Sequence, residues 1–332
     1  MHWDEQMIST LLDQLFSGYA GSMPGVSAML LQDGVVQFAT AFGLADVERK
    51  TPATPATNYR LASVSKQFTA MSILLLVADG RLALDDPLAQ FFVGAPARWR
   101  HVTLLHLLTH TAGLRDYEDL IPSDTTAPLC DQDVLELVQP HADGYHAPGT
   151  AFRYSNTGYC LLALIVAQVA NQPFAAFLRT RIFAPLAMPD TAAYEAAGVG
   201  IARRAFGYSR HGQDWTRTDQ SLTSATLGDG GIYSSVVDLA RWDAALAEGM
   251  LLPTSLQARM FSPHVATLNG ASYGLGWYLH APHVAYHTGE TIGFRTAIIR
   301  RLDARLTAIV LANRSDASPC ALAEALIAQA EK

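Results

Sequence analysis

Ser63 and Lys66 stand three residues apart at the head of the stretch Leu61–Gly80 (LASVSKQFTAMSILLLVADG), which reads as a helix from near Ser63 to Gly80. Residues three apart share a helix face, so an amine would lie beside a hydroxyl at the positive end of the helix dipole. That arrangement can make a serine nucleophilic. Ser-x-x-Lys alone is a short pattern that arises often by chance. This chain, however, has three lysines (Lys50, Lys66, Lys332) among many arginines. A lysine in the first turn of an apolar helix is costly unless it is used, because burial penalises its charge.

The helix itself sets the frame for that pair. Val64, Phe68, Met71, Leu75 and Ala78 form one stripe, and Ile73, Leu74, Leu76 and Val77 fill much of the rest. A helix apolar nearly all round belongs inside a sizeable domain. Ser63 and Ser65 are expected to cap its first amides, and Gly80 suits a left-handed terminus.

Two other stretches carry polar groups beside predicted element ends. Tyr154-Ser155-Asn156 follows Pro148-Gly149 and precedes a helix expected from near Thr157; by itself it reads as a capping loop, with Asn156 or Thr157 as N-cap. His287-Thr288-Gly289 ends a β-like run and by itself reads as a hairpin turn. His106 and His110 are one helical turn apart without the glutamate of a metalloprotease, and His280, His283 and His287 fall on both faces of a strand region. Neither set has metal-ligand spacing, so no metal and no cofactor is expected. Cys130, Cys160 and Cys320 form no disulfide or metal pattern and read as buried reduced thiols. The tryptophans read as core, with Trp215 and Trp277 as candidates to line a cleft.

At 332 residues and 50% hydrophobic, the chain can bury a large core. Its net charge of -7, with no basic block, argues against a nucleic-acid partner. No apolar run is long enough for a membrane-spanning helix. The N-terminal stretch carries acids where a secretion signal carries basic residues, and it reads as an amphipathic helix. The expected location is therefore cytoplasmic, or exported with the signal peptide absent from this sequence.

In chain order, Val26–Gln32 and Val35–Phe42 flank Asp33-Gly34, a two-residue hairpin signal. From Arg81 to about Thr223, short helical segments (Leu104–Leu108, Val134–Gln139, Gly158–Ala170, Phe174–Phe183) alternate with loops rich in Pro, Gly, Asp and Thr. Gly228-Asp229-Gly230-Gly231 reads as a flexible turn before a helix at Val236–Ala247. Four β-like runs follow, Tyr273–Leu279, His283–Thr288, Phe294–Leu302 and Arg305–Asn313, then a final helix at Pro319–Glu331. Strands at both ends of the sequence predict an α/β (α+β) fold with one antiparallel sheet flanked by terminal helices. The expected division is a sheet domain from residues 1–80 and 224–332 and a mostly helical domain from 81–223, with the site in the cleft between them.

Taken in order, Ser63-x-x-Lys66, Tyr154-x-Asn156 and His287-x-Gly289 resemble the motifs of the serine hydrolases with a class C β-lactamase-like fold, the penicillin-recognising family that includes DD-peptidases and esterases. Leu107–Leu114 (LLTHTAGL), Pro148-Gly149-Thr150, Ile182–Met188 and Gly230–Ser234 are similar to further family segments, so the resemblance spans nearly the whole chain. It implies that Ser63 attacks a carbonyl to form an acyl-enzyme, that Lys66 accepts or relays its proton, and that Tyr154 is the general-base partner. It further implies that Asn156 bonds the substrate carbonyl or the lysine. The N–H groups of Ser63 and Glu290 would form the oxyanion hole, and Gly289 would let the strand approach the substrate.

The departure is His287, where β-lactamases of this fold usually carry lysine; this argues against efficient β-lactam hydrolysis. With an ordinary pKa near 6.5, His287 would bind substrate carboxylates better as the pH falls from about 8 to 6. Arg295 is the rival anchor for such a carboxylate, and the Glu290 side chain would repel it. The function implied is cleavage of an ester or amide, with a β-lactamase-like esterase as the leading reading. The alternatives are a D-amino-acid peptidase or DD-carboxypeptidase, a weak β-lactamase, an acyltransferase, or a non-hydrolytic penicillin-binding-like sensor. Specificity would lie in loops such as Arg115–Pro128 and Gly207–Leu222.

Overall fold

The computed structural model describes residues 5–195, 200–280 and 283–331. The main sheet has eight strands: β1 (Val26–Gln32), β2 (Val35–Phe42), β3 (Val265–Ala266), β4 (Ser272–Tyr273), β5 (Tyr278–His280), β6 (Val284–Thr291), β7 (Phe294–Arg301) and β8 (Leu306–Ala312). Their spatial order is β3-β4-β5-β6-β7-β8-β1-β2, and each neighbouring pair is antiparallel. The sheet is thus closed across the chain ends, with Val26 opposite Ala312 and Gln32 opposite Leu306. Asp33 and Gly34 both take positive φ (53° and 76°), the backbone that the two-residue β1–β2 turn demands.

Both faces of the central strands are covered, which explains why β1 and β8 read as unbroken apolar runs. Ala28, Leu30, Ala308 and Val310 face the terminal helices α1 (Glu5–Phe16) and α6 (Pro319–Ala330), meeting Leu12, Phe16, Ala323 and Leu326. Met29, Leu31, Ile309 and Leu311 point the other way and join a second, larger core.

That larger core is built round α2 (Lys66–Ala78). Eleven of its residues, Lys66 to Leu76, are buried, and Phe68 and Leu74 are fully so. Leu74→Ala would cost roughly 2–5 kcal/mol at such a site. The helix stops where Gly80 takes φ 70°. Its start differs from expectation: a 3-10 turn, Ala62–Ser65, leads into it, and neither serine caps it. The Ser65 hydroxyl accepts the Ile232 amide instead (3.2 Å), because Leu61 and Ser65 are stitched to the strand Ile232–Ser234.

Against α2 pack α4 (Asn156–Ala170) and the segment Phe174–Phe183, whose second half is a π-turn, while α3 (Asp131–Val138) packs on α4. α5 (Val236–Glu248) covers the same face of the sheet. Region 81–223 is not wholly helical. It contains the hairpin Tyr208–His211/Asp214–Arg217, and Ala192–Ala193 pairs with the strand Ile232–Ser234. The run Tyr273–Leu279 is two strands, not one, because Gly276 reverses the chain at φ 77° and Gly274 packs tightly against the Met260 carbonyl. Among the described residues no single helix is long and apolar enough to cross a membrane.

Candidate active site

Ser63 occupies the turn ahead of α2, immediately after Ala62, which is held at φ 49°. Positive φ is uncommon for alanine, and neighbouring contacts impose it here. Leu61 donates its N–H to Ile232 O (2.8 Å), and its carbonyl accepts the Thr296 hydroxyl (2.7 Å). A β-carbon on Gly289 would overlap that same carbonyl and hydroxyl. Gly289 therefore seats strand β6 on the serine turn, in close approach to Leu61. Motif His287-Thr288-Gly289 lies inside β6, with the reversal falling later at Gly293.

Lys66 is 0% exposed and its ammonium nitrogen has three acceptors: Ser63 Oγ at 3.0 Å, Asn156 Oδ1 at 2.7 Å and Asp229 O at 2.9 Å. Two of these are carbonyl oxygens, which can only accept. Held by them, the nitrogen is fixed in hydrogen-bond reach of the serine hydroxyl. Asn156 is held in turn from behind: its Nδ2 donates to Glu118 Oε1 (2.6 Å) and its backbone N–H to Asp116 Oδ2 (3.2 Å). Asn156 thus reaches the lysine, and it opens α4 with Ser155, not itself, at the N-cap position.

Tyr154 lays its ring over the Lys66 ammonium, 5.0 Å from centroid to nitrogen. Its hydroxyl is buried and makes no hydrogen bond among the described residues. His110, from the LLTHTAGL turn, supports the ring from 4.2 Å and accepts the Ser155 amide on Nδ1 (3.2 Å), which leaves its proton on Nε2. Burial, then the neighbouring Lys66 charge, hold His110 well below its ordinary pKa.

His287 is 1% exposed. Its Nδ1–H donates to Thr288 O (2.7 Å), so Nε2 accepts the Tyr273 hydroxyl (3.1 Å). Burial first, and the Lys66 charge second, drive its pKa down to about 3. The expectation of a cleft-facing imidazole titrating near 6.5 is therefore corrected: His287 is a neutral strut behind Tyr154 and Tyr278.

Arg295 and Glu290 also differ from their expected roles, for one shared reason. They sit opposite each other on β7 and β6 and form an ion pair (2.7 Å), while Arg295 Nη1 donates to Thr291 O and Phe294 O. The guanidinium is engaged on its own hairpin, and the acid is neutralised there.

Ser63 opens on a cleft of about 270 Å³ that also touches Asn156, Glu118, Asp229, Glu290 and Ser221. Glu118 and Ser221 come from the two loops expected to set specificity. Partial burial pushes the Glu118 carboxyl up from its ordinary range, against the pull of Asn156 and Lys66. Sequence reasoning missed Glu118 and Asp229. Segment 228–231, read as flexible, is tightly packed: β-carbons on Gly228 and Gly231 would overlap Tyr159 O and Thr226 O. Trp277 is fully buried against Phe261 and Trp215 stacks on Arg314, so neither serves the cleft. Among the described residues, Asp131, Cys160 and Asp229 form the one group whose donor atoms lie within 4.8 Å of each other.

A family model described as Beta-lactamase matches residues 11–332. The chain belongs to the Beta-lactamase family. Penicillin-binding protein 4* of Bacillus subtilis (strain 168) is 32% identical, over 87% of this chain and 68% of that protein. Protein flp of Staphylococcus aureus (strain NCTC 8325 / PS 47) is 25% identical, over 93% of this chain and 63% of flp. The chain thus spans about two thirds of the length of these two relatives. Among solved structures, D-amino acid amidase from Ochrobactrum anthropi SV3, in complex with L-phenylalanine amide, superposes with a TM-score of 0.83 at 25% identity, covering 98% of both chains. This member of the Beta-lactamase family therefore has the fold of a serine hydrolase family that includes penicillin-binding proteins and amidases.

Proposed function

We propose that this protein cleaves an ester or amide through an acyl-enzyme on Ser63. The observation that carries the reading is the Lys66 nitrogen, fully buried, fixed by two carbonyl oxygens and set 3.0 Å from the Ser63 hydroxyl. Ser63 Oγ bonds to the substrate carbonyl carbon as its proton moves to Lys66. The tetrahedral oxyanion is held by the Ser63 and Glu290 N–H groups. Tyr154, whose hydroxyl has no partner among the described residues, gives its proton to the leaving group and takes one back from the water that attacks the acyl carbon, while Lys66 returns its proton to Ser63 Oγ as that bond breaks.

The cleft lining refines the substrate class. With Glu290 paired to Arg295, Glu118 and Asp229 set two carboxyls against the single lining cation Arg60, which disfavours carboxylate-bearing β-lactams. Small neutral esters remain the substrates on which turnover is easiest to see. Glu118 stands one hydrogen bond from Asn156, which is one from Lys66, so its carboxylate can hold an ammonium beside the scissile carbonyl. An amino-acyl amide or ester with a free α-amine is the class this favours, in keeping with the amidase named above.

The test is intact-mass analysis after a fluorophosphonate probe. One adduct is expected on the wild type and none on Ser63→Ala; full labelling of Ser63→Ala sinks the assignment. Turnover of p-nitrophenyl acetate, D- and L-phenylalanine amide and a chromogenic cephalosporin then ranks the substrate classes. Labelling without any turnover would favour a sensor.

A further inference from the structure

We infer that Asp131 and Thr69 are positioning residues for Lys66, acting through the backbone of residues 227–229 without touching the nucleophile. The inference rests on the acyl-Ser63 reading. Asp131 is the first residue of α3 and is 7% exposed. Its Oδ2 accepts the Leu227 N–H (3.0 Å) and its Oδ1 the Gly228 N–H (3.2 Å). The Thr69 hydroxyl, one turn along α2 from Lys66, donates to Gly228 O at 2.6 Å. The next carbonyl in the chain, Asp229 O, is the one that accepts Lys66 Nζ.

The physical argument is about aim. Lys66 keeps its nitrogen aimed at Ser63 only if both other acceptors hold still. Asn156 Oδ1 is held by its own side-chain and backbone bonds to Glu118 and Asp116. Asp229 O has no such side-chain anchor among the described residues, and the 227–229 segment supplies its position. That segment carries two glycine neighbours, Gly228 and Gly230, which left unclamped would be the most mobile backbone near the nucleophile. Asp131 grips its N–H groups, Thr69 its carbonyl, and Gly228 abuts Tyr159 O on the remaining side. Both clamps are buried, and an ionised carboxylate accepting two N–H bonds is worth more than a neutral acceptor.

The charges facing Asp131 favour a raised pKa. Asp229 and Cys160 lie within 4.8 Å of it, Tyr117 and Lys66 stand behind them, and Asp133 on the same helix is engaged with the Cys130 amide. Burial, then the Asp229 charge, push Asp131 up to about 7. The clamp is therefore fully formed above that pH and weakens below it.

The experiment measures the rate of fluorophosphonate labelling against pH for wild type, Asp131→Asn, Asp131→Ala and Thr69→Val, with thermal unfolding as a check on folding. The high-pH plateau decides. Asn keeps one acceptor and Ala none, so the plateau should fall by about tenfold for Asp131→Asn and about a hundredfold for Asp131→Ala, the scale of an ångström-size misplacement. Thr69→Val should lose roughly threefold to tenfold on the same grounds. If Asp131 mattered only as a negative charge near Lys66, Asn and Ala would behave alike and shift the acid limb while keeping the wild-type plateau. That outcome overturns the inference. Should neither Asp131 variant fold, a wild-type plateau in Thr69→Val overturns it. Absence of labelling in the wild type, or full labelling of Ser63→Ala, overturns the acyl-Ser63 reading as well, so the two failures are distinguishable.

Discussion

His287 accepts the Tyr273 hydroxyl on Nε2 at 3.1 Å while giving its Nδ1 proton to Thr288 O, so both ring nitrogens are committed inside the protein. With its pKa near 3, the ring carries no charge between pH 8 and 6. A carboxylate-bearing substrate should therefore gain nothing from His287 across this range. We expect its KM to track that of the matching methyl ester within about threefold from pH 8 to 6. A carboxylate-specific gain of tenfold or more, lost in His287→Gln, would restore the cation role.

The same burial makes His287 a source of acid sensitivity. Its folded pKa is depressed below the unfolded value near 6.5, so above pH 6.5 both states hold a neutral ring. Between 6.5 and about 3 only the unfolded chain takes up the proton, and stability falls by roughly 1.4 kcal/mol per pH unit over that window. His110 contributes with the same sign, and Asp131, raised in the folded state, with the opposite sign. Comparing wild type with His287→Gln isolates one residue. Urea midpoints at pH 7, 6 and 5 should decline less steeply in the variant.

Lys66 and Tyr154 share one ring-to-ammonium contact and one proton route. Removing either should hurt labelling and turnover about as much as removing both. Lys66→Arg should not rescue, because a guanidinium stays protonated and cannot accept the serine proton. Rates for Lys66→Ala, Tyr154→Phe and the double variant decide; strictly multiplicative losses would show independent roles.

How far the sequence carried the site depends on what holds each residue in place. Ser63, Lys66, Tyr154 and Asn156 each sit in a short pattern that is weak alone, and the ordered set of three motifs picks them out; the structure brings them together. The β1–β2 hairpin was readable because Asp33-Gly34 is a local signal. What stayed hidden depends on contacts between segments distant in sequence. Glu118 reaches Asn156 across 38 positions, and Asp229 O reaches Lys66 across 163. Ser65 looked like a cap because serine favours caps, but the strand at Ile232 claimed its hydroxyl. Burial of His287 is likewise a property of the aromatic wall round it, formed by Tyr154, Tyr273 and Tyr278, which no local pattern announces.

Arg295 offers the last prediction, because its pairing with Glu290 can be undone from one side. The two side chains face each other at 2.7 Å, Glu290 74% exposed and Arg295 20% exposed at the side chain, at the mouth of the cleft that holds Ser63. An ion pair with one partner so exposed adds little stability, about 0–1 kcal/mol, so Glu290→Gln should fold normally. It should also release a guanidinium and remove a carboxylate beside the oxyanion site, changing the local charge by one unit. Carboxylate-bearing acyl donors should then label or turn over faster, by roughly threefold to thirtyfold at low salt, with the gain shrinking as salt screens it. Neutral esters should change little, since the Glu290 N–H proposed for the oxyanion is backbone and survives the substitution. Arg295→Ala in the Glu290→Gln background should cancel the gain if the freed guanidinium is its source. The paired measurement is kcat/KM for a carboxylate-bearing ester and its methyl ester in wild type, Glu290→Gln and the double variant. Equal gains on both esters would mean that Glu290 acts on the reaction centre itself rather than by holding Arg295 away from the substrate.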